Sequence, residues 1–226
     1  MNLEEFKQKF QELKKKGFVR SLRKGPTGIG FTFETIMGVD ENNLALPDIS
    51  GIEIKAHRDN SKNMITLFTF NRKAWQINPL DAIRKYGSYD ENGRLGIYYT
   101  MSLTPNSAGL FLMVDTEKIS VQHTSGEIIA TWQLSTLTER FSQKIPALLF
   151  ISTHTEERAG IEYFHFYRGQ LMRDTTKELL SELFKTGNLL VDLRLHDKET
   201  RARNHETGFR TFEDKLPSLF KKIEDI

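Results

Sequence analysis

Between Ile52 and His57 apolar and polar side chains alternate strictly, with Ile52, Ile54 and Ala56 set against Glu53, Lys55 and His57. Successive side chains of a strand point to opposite faces. The segment therefore reads as a strand that sends its isoleucines into a core and stands Glu53, Lys55 and His57 together on the other face. Upstream, Asn43, Leu44, Pro47 and Asp48 lead through a Ser50–Gly51 turn into this strand, a path from which Asp48 can fold back beside Glu53. Two carboxylates and an ammonium then converge where one divalent cation and one phosphodiester can meet. Mg²⁺ takes oxygen ligands in octahedral geometry and keeps several waters, so Asp48 and Glu53 plus phosphate oxygens form a sufficient set. Lys55 has two jobs open to it: stabilising negative charge that develops on phosphorus, or holding and helping to deprotonate the attacking water.

A plainer reading stands beside this one, an exposed strand whose same-face Glu/Lys pair is worth roughly a few tenths of a kcal/mol. Glu-x-Lys is short, and it recurs at Glu12-Leu13-Lys14 and Glu213-Asp214-Lys215. Those two triplets fall in helix-like segments, where residues two apart do not share a face. Only the triplet at Glu53 has β-branched neighbours and an upstream Pro-Asp.

With 226 residues and 38% hydrophobic content, the chain is long enough for one substantial core or for two small lobes sharing one. It has no apolar run of about 18 residues and no charged-then-apolar leader, which predicts neither a membrane span nor a secretory signal. Zero cysteines exclude a disulfide framework, cysteine-ligated zinc and a Cys nucleophile, and a cytoplasmic setting is expected. The formal net charge of +2 is too small to argue for a nucleic acid, so the distribution matters more. Lys14, Lys15, Lys16, Arg20, Arg23 and Lys24 follow one another with no acidic residue among them. A second cluster, Arg194, Lys198, Arg201, Arg203 and Arg210 with His196 and His205, is diluted by Asp197, Glu199 and Glu206. Either suits a phosphate backbone. The first three lysines equally suit the C-terminal end of a helix, where the macrodipole favours cations.

The pattern along the chain predicts a helix over Leu3–Lys16 stopped by Gly17, and a second opening at Gly28 or Gly30 and running to about Met37. The Gly28-x-Gly30 pair is not a dinucleotide fingerprint, since no strand precedes it and Phe33 stands where the third glycine belongs. Met64–Phe70 reads as the antiparallel partner of the Glu53 strand. A short helix at Pro79–Lys85, a turn at Asp90–Gly93 and a strand at Leu95–Leu103 follow. Leu110–Val114 and Lys118–Gln122 form an expected hairpin, then a strand at Ile128–Trp132, a helix at Leu134–Gln143 and a buried strand at Ala147–Ser152. Tyr163–Phe166 is a further strand, Asp174 the expected cap of a helix through Phe184, and Leu189–Leu195 a strand with Asp192 and Arg194 outward. Phe212–Ile223 reads as a closing helix. No linker or repeat divides the chain, and the architecture is mixed α/β (α+β).

Several ordered motifs then resemble the MvaI/BcnI group of Type II restriction endonucleases, which are similar in turn to the mismatch-repair nickase MutH. They are Gly25-x-Thr27-Gly28-Ile29-Gly30-x-Thr32-Phe33-Glu34, then Asn43-Leu44-x-x-Pro47-Asp48 with Ile52-Glu53-Ile54-Lys55-x-His57, and Leu67-Phe68-Thr69. Tyr86-Gly87-x-x-Asp90-x-x-Gly93, Val191-Asp192-x-Arg194 and His205-x-x-Gly208-Phe209-Arg210 continue the likeness, which is dense from residue 25 to 70 and thin from about 105 to 185. The resemblance implies a restriction-endonuclease-like core, a central mixed sheet flanked by helices, with an interwoven DNA-recognition lobe. One two-lobed unit over residues 1–226 is expected, its catalytic lobe centred on 1–105 and its recognition lobe largely within 106–226.

The resemblance further implies that Asp48 and Glu53 hold one or two Mg²⁺ ions, with Mn²⁺ able to substitute, and that Lys55 is the catalytic lysine. Glu34 matches an acidic residue that faces the metal site in MutH-like enzymes; a helix glutamate favoured by the macrodipole is the alternative. His57 is expected near the phosphate, or as an ordinary surface histidine. Double-stranded DNA is the implied partner. Arg20, Arg23 and Lys24 are placed against its backbone, and Asp192, Arg194, Arg203, His205 and Arg210 against C·G and G·C pairs, where arginine reads guanine and a carboxylate accepts from cytosine. Alternatively Asp192 and Arg194 form an ion pair on one strand face. A monomer without stable association with a cognate DNA methyltransferase is expected. The rival readings are a MutH-like DNA nicking endonuclease and a catalytically silent DNA-binding module.

Overall fold

The computed structural model describes residues 2–39, 51–59, 63–71, 73–205 and 207–226. Along the chain run α1 (Leu3–Lys16), β1 (Val19–Arg20), α2 (Gly28–Met37), β2 (Ile52–Arg58), β3 (Ile65–Thr69), α3 (Pro79–Tyr86) and β4 (Ser88–Tyr89). Next come β5 (Leu95–Met101), β6 (Leu110–Val114), β7 (Lys118–His123), β8 (Ile128–Gln133) and α4 (Leu134–Lys144). The rest comprises β9 (Ala147–Arg158), β10 (Ile161–Arg173), α5 (Lys177–Lys185), β11 (Leu189–Asp197), β12 (Ala202–Asn204), β13 (Gly208–Thr211), a 3₁₀ helix at Glu213–Leu219, and β14 (Lys222–Asp225). This is the expected mixed α/β class. Among the described residues no helix is long and apolar enough to cross a membrane.

Two compact units interleave along the chain. The first comprises Met1–Asn63, Ser142–Thr175 and Phe220–Ile226, the second Met64–Phe141 and Thr176–Leu219. Each unit draws on strands that are distant in sequence.

In the first unit the strand order is β1-β10-β9-β2, with β14 also on β10. β2 lies parallel to β9, from Ile52 opposite Ala147 to Arg58 opposite Thr153. This corrects the expected pairing with Met64–Phe70, which forms β3 and pairs with β13 in the second unit. The reason is burial: Ala147–Ile151 is an apolar run covered on both faces, which suits a parallel neighbour better than a solvent-facing hairpin does.

One face of this sheet packs Ile52, Ile54, Ala147, Leu149 and Ile151 against Phe6, Phe10 and Leu13 of α1 and Ile29, Phe33 and Met37 of α2. α1 starts at a capping box, in which the Glu5 amide donates to Asn2 Oδ1 (2.9 Å) and the Asn2 amide to Glu5 Oε2 (3.0 Å). Lys14, Lys15 and Lys16 occupy its last turn, where the helix dipole favours them. α2 begins at Gly28 because nothing larger fits: an added Cβ would lie 2.2 Å from the Arg23 carbonyl oxygen.

The second unit holds a sheet ordered β3-β13-β11-β5-β4, with β12 on β11, and the meander β6-β7-β8. Phe209 is its hub, stacked on Phe68 at 4.6 Å and edge-on to Trp132 at 5.7 Å and Phe184 at 6.2 Å.

Two further expectations are corrected. The segment expected as a closing helix is a 3₁₀ helix containing Pro217, which supplies no amide donor, followed by β14, which pairs with β10. Asp174 is not a cap: its φ is +66° and its carboxylate meets Lys222 at 2.6 Å. Thr176 caps α5 instead, its hydroxyl accepting from the Leu179 amide.

Phe33 is fully buried, with ring centroids 5.0 Å from Phe166, 6.1 Å from Phe6 and 6.2 Å from Phe10. Phe33→Ala is expected to cost about 3–5 kcal/mol in urea unfolding, because the cavity is walled by rings that collapse poorly.

Candidate functional site

On the other face of β2 stand Glu53, Lys55 and His57, as the alternation predicts. Glu53 is 5% exposed, well inside rather than on the surface. A buried carboxylate is costly unless its charge is met, and two ammonium groups meet it. Lys55 Nζ donates to Oε1 at 2.9 Å. Lys144 Nζ lies 3.0 Å from the buried Oε2, and among the described residues no other donor reaches that oxygen. The plain surface-pair reading is thereby excluded for Glu53. Asp48 lies outside the described residues, as does the turn that leads from it.

His57 is half-buried, its ring 5.9 Å from that of Phe150. Beyond it on the same edge of the sheet, Asp59 Oδ2 meets His154 Nδ1 at 2.7 Å, and His154 stacks on Tyr167 at 4.0 Å. Glu34 is half-buried on α2, the helix applied to the face that carries Ile52 and Ile54. Its Oε1 lies back toward the first turn, 3.7 Å from where a Cβ on Gly30 would be. The backside of β2 is tied down by Arg58, which donates to both oxygens of Glu162 (3.0 and 2.9 Å) and to the carbonyls of Pro26 (3.1 Å) and Gly25 (3.4 Å).

Arg20, Arg23 and Lys24 come together around an open cleft of about 500 Å³, with Gly160, Ile161 and Glu162 on its far side. Their loop is held by Ser21 Oγ donating to the Arg23 carbonyl (2.7 Å) and by the Leu22 amide donating to Thr32 Oγ1 (2.9 Å). The Arg23 guanidinium lies 3.7 Å over the Phe31 ring. Arg20 and Lys24 are exposed.

In the second unit Asp192, Arg194 and His196 alternate along one face of β11, but Asp192 is 3% exposed rather than outward. Its Oδ2 accepts from Arg194 Nε and Arg210 Nη1, both at 2.7 Å, and its Oδ1 from Thr100 Oγ1 at 3.1 Å. The ion pair weighed from the sequence is present, and it extends to a second arginine. Three donors occupy the carboxylate, so Asp192 acts here by holding Arg194 and Arg210. Arg203 and His205 are exposed on the adjoining β12 and its end. His196 is buried, its Nδ1 3.0 Å from the Tyr98 hydroxyl and its ring 5.4 Å from that of His205.

Lys144, Thr100 and the Tyr98–His196 contact were not signalled by the sequence. Lys144 reaches Glu53 only through the parallel register of β2 and β9, and Thr100 reaches Asp192 only through the pairing of β5 with β11.

A strand bearing a buried carboxylate and a same-face lysine, with helices packed on its apolar face, is the architecture of a restriction-type nuclease. The model of the MvaI/BcnI restriction endonuclease family matches residues 7–220. The fold is similar to that of the restriction endonuclease MvaI in a complex with cognate DNA substrate, at 24% identity and a TM-score of 0.81, covering 100% of this chain and 99% of that one. It is also similar to MvaI in the absence of DNA, at 24% identity and a TM-score of 0.60, covering 100% and 98%. Comparison with curated proteins gives no match. The chain belongs to the MvaI/BcnI restriction endonuclease family. It is a site-specific DNA endonuclease.

Asp192→Ala would strand two guanidinium groups against a buried site, and urea unfolding is expected to register a loss of about 3 kcal/mol. Burial, and then the charges of Lys198, His205, Arg94 and Arg203, hold the His196 imidazole below its ordinary 6.5. The unfolded chain therefore binds the proton more readily, and this contribution to stability is present above pH 6.5 and lost as pH falls from there toward the folded-state value. The urea midpoint of the parent is expected to decline over that window, and more steeply than that of His196→Gln.

Proposed function

We propose that the protein is a Mg²⁺-dependent Type II restriction endonuclease that hydrolyses both strands of duplex DNA at a short sequence, acting as a cytoplasmic monomer. The observation that carries this reading is Glu53: a buried carboxylate that, among the described residues, meets only ammonium groups, Lys55 on one oxygen and Lys144 on the other. An oxygen so placed suits a hard divalent cation. Among the described residues no group of three metal-ligating side chains occurs, but Mg²⁺ needs few, because it keeps several waters and takes substrate oxygens. Glu53 and Asp48 would hold it, and the family likeness would add Glu34 if a second ion were bound. When bound, the cation supplies Lewis-acid stabilisation of the phosphate and a more acidic water.

The chain's own groups do the rest. Lys55, anchored to Glu53 at 2.9 Å, presents an ammonium donor to the non-bridging oxygen on which charge grows. His57, next along that face, is placed for a neighbouring phosphate. Water oxygen bonds to phosphorus as the bond to O3′ breaks, and the departing oxygen takes up a proton, leaving 5′-phosphate and 3′-hydroxyl ends. Arg20, Arg23 and Lys24 contact the backbone electrostatically and without regard to sequence. Arg194 and Arg210, held on Asp192, are suited to bidentate contact with guanine, and Arg203 and His205 border them.

Digestion of unmethylated plasmid with Mg²⁺, followed by sequencing of the ends, tests this. Linear product with one recurrent end sequence is expected, and Lys55→Ala or Glu53→Gln is expected to lower the rate by about 10²–10³ or more. Open circles that persist would replace the reading with a nicking enzyme, and intact plasmid under all conditions with a silent binding module.

A further inference from the structure

Lys144 has no part in the motif that defines the site, yet it lies as close to Glu53 as Lys55 does. We propose that Lys144 is the resident counter-ion of Glu53, which yields Oε2 to the divalent cation and passes its ammonium to the DNA phosphate. The inference rests on the metal-dependent reading above and assigns the site an additional phosphate ligand.

Three observations support it. The Glu53 side chain is 6% exposed and Lys144 Nζ is 3.0 Å from Oε2, so before metal arrives the charge of that oxygen is met by Lys144. Among the described residues no other donor reaches that oxygen. One ammonium on a carboxylate oxygen leaves a second lone pair, and a lone pair is what a hard cation uses. Finally, Lys55, Lys144 and Glu53 together carry one excess positive charge. A cation at Oε2 would repel Lys144, and an ammonium expelled beside an anionic substrate has one obvious partner.

A cation at the end of a helix is common, because the dipole favours it there. Lys144 does end α4. That accounts for a lysine in the last turn but not for its direction, since such a side chain ordinarily runs into water and this one is 27% exposed against a buried carboxylate. Its position is also fixed from the C-terminal side. Ile145 is 1% exposed, the Pro146 ring is the nearest group to a Cβ placed on Gly51 (3.9 Å), and Ala147 is in register with Ile52. The four-carbon stem leaves the ammonium free to move while its root stays in place.

Because the chain contains no cysteine, Lys144→Cys introduces a unique thiol. Alkylation with 2-bromoethylamine, in which the thiolate displaces bromide, then restores an ammonium at nearly the original length. Calcium binding to the protein without DNA is measured by calorimetry, and single-turnover cleavage at saturating Mg²⁺ is measured separately. Lys144→Cys is expected to bind Ca²⁺ about three- to tenfold more tightly, since no cation has to be displaced, and to cleave about 10-fold or more slowly, the usual size of the loss when a supporting polar group at a metal site is removed. Aminoethylation should reverse both changes. Structural damage would not tighten metal binding, which separates this role from mere packing. Unchanged or weaker Ca²⁺ binding, an unchanged rate, or failure of aminoethylation to restore either would overturn the proposal. Should circular dichroism show Lys144→Cys unfolded, Lys144→Gln is carried through the same two measurements, with tighter binding and slower cleavage again expected. A parent protein that binds no divalent ion and cuts no DNA would instead overturn the metal-dependent reading itself.

Discussion

The parallel pairing of β2 with β9 is the interaction on which the site depends. It runs from Ile52 opposite Ala147 to Arg58 opposite Thr153, with both strands covered on their apolar face by α1 and α2. A slip of one residue would turn Glu53 and Lys55 into the core and Ile52 and Ile54 out of it. Burial of the isoleucines thus sets where the carboxylate and the lysine point. The same register carries the chain before β9 to Glu53 and brings Lys144 with it. Arg58 adds a polar lock on the reverse face, joining β2 to the turn that starts α2 and to Glu162 of β10.

Much of this was legible where the determinants are local. α1 occupies Leu3–Lys16 as its apolar stripe and stopping glycine indicate, and the alternation at Ile52–His57 places its side chains on the expected faces. What could not be read was non-local. β3 looks like a natural hairpin partner for β2, and nothing in a single sequence says that it pairs with β13 instead. Lys144 is another such case: between it and Glu53 lie strands that belong to a different unit. The C-terminal segment misleads for a different reason. Its apolar spacing is helical, but Pro217 lies within it and β10 offers the following residues a strand edge, and the tertiary contact prevails.

The two polar surfaces are built on different principles. Around Glu53, among the described residues, the cations outnumber the carboxylate, one ammonium lying against each oxygen. Around Asp192 the carboxylate itself is filled, by two arginines and a threonine. The first arrangement favours the arrival of another ion. The second favours rigidity, as befits a surface whose members must be in place before they are used.

That rigidity bears on how selective such a surface can be. Long side chains lose rotamer freedom when they engage a partner, typically about 0.5–1.5 kcal/mol each. Arg194 and Arg210 have already surrendered part of that freedom to Asp192 during folding. If one guanidinium were drawn toward a base edge, the carboxylate would still keep the other together with the Thr100 hydroxyl, so the face can respond one arginine at a time. Neither arginine has to be gathered from solution at the moment of encounter, and under the proposed role in base reading a mismatch would be registered against a surface that is already ordered.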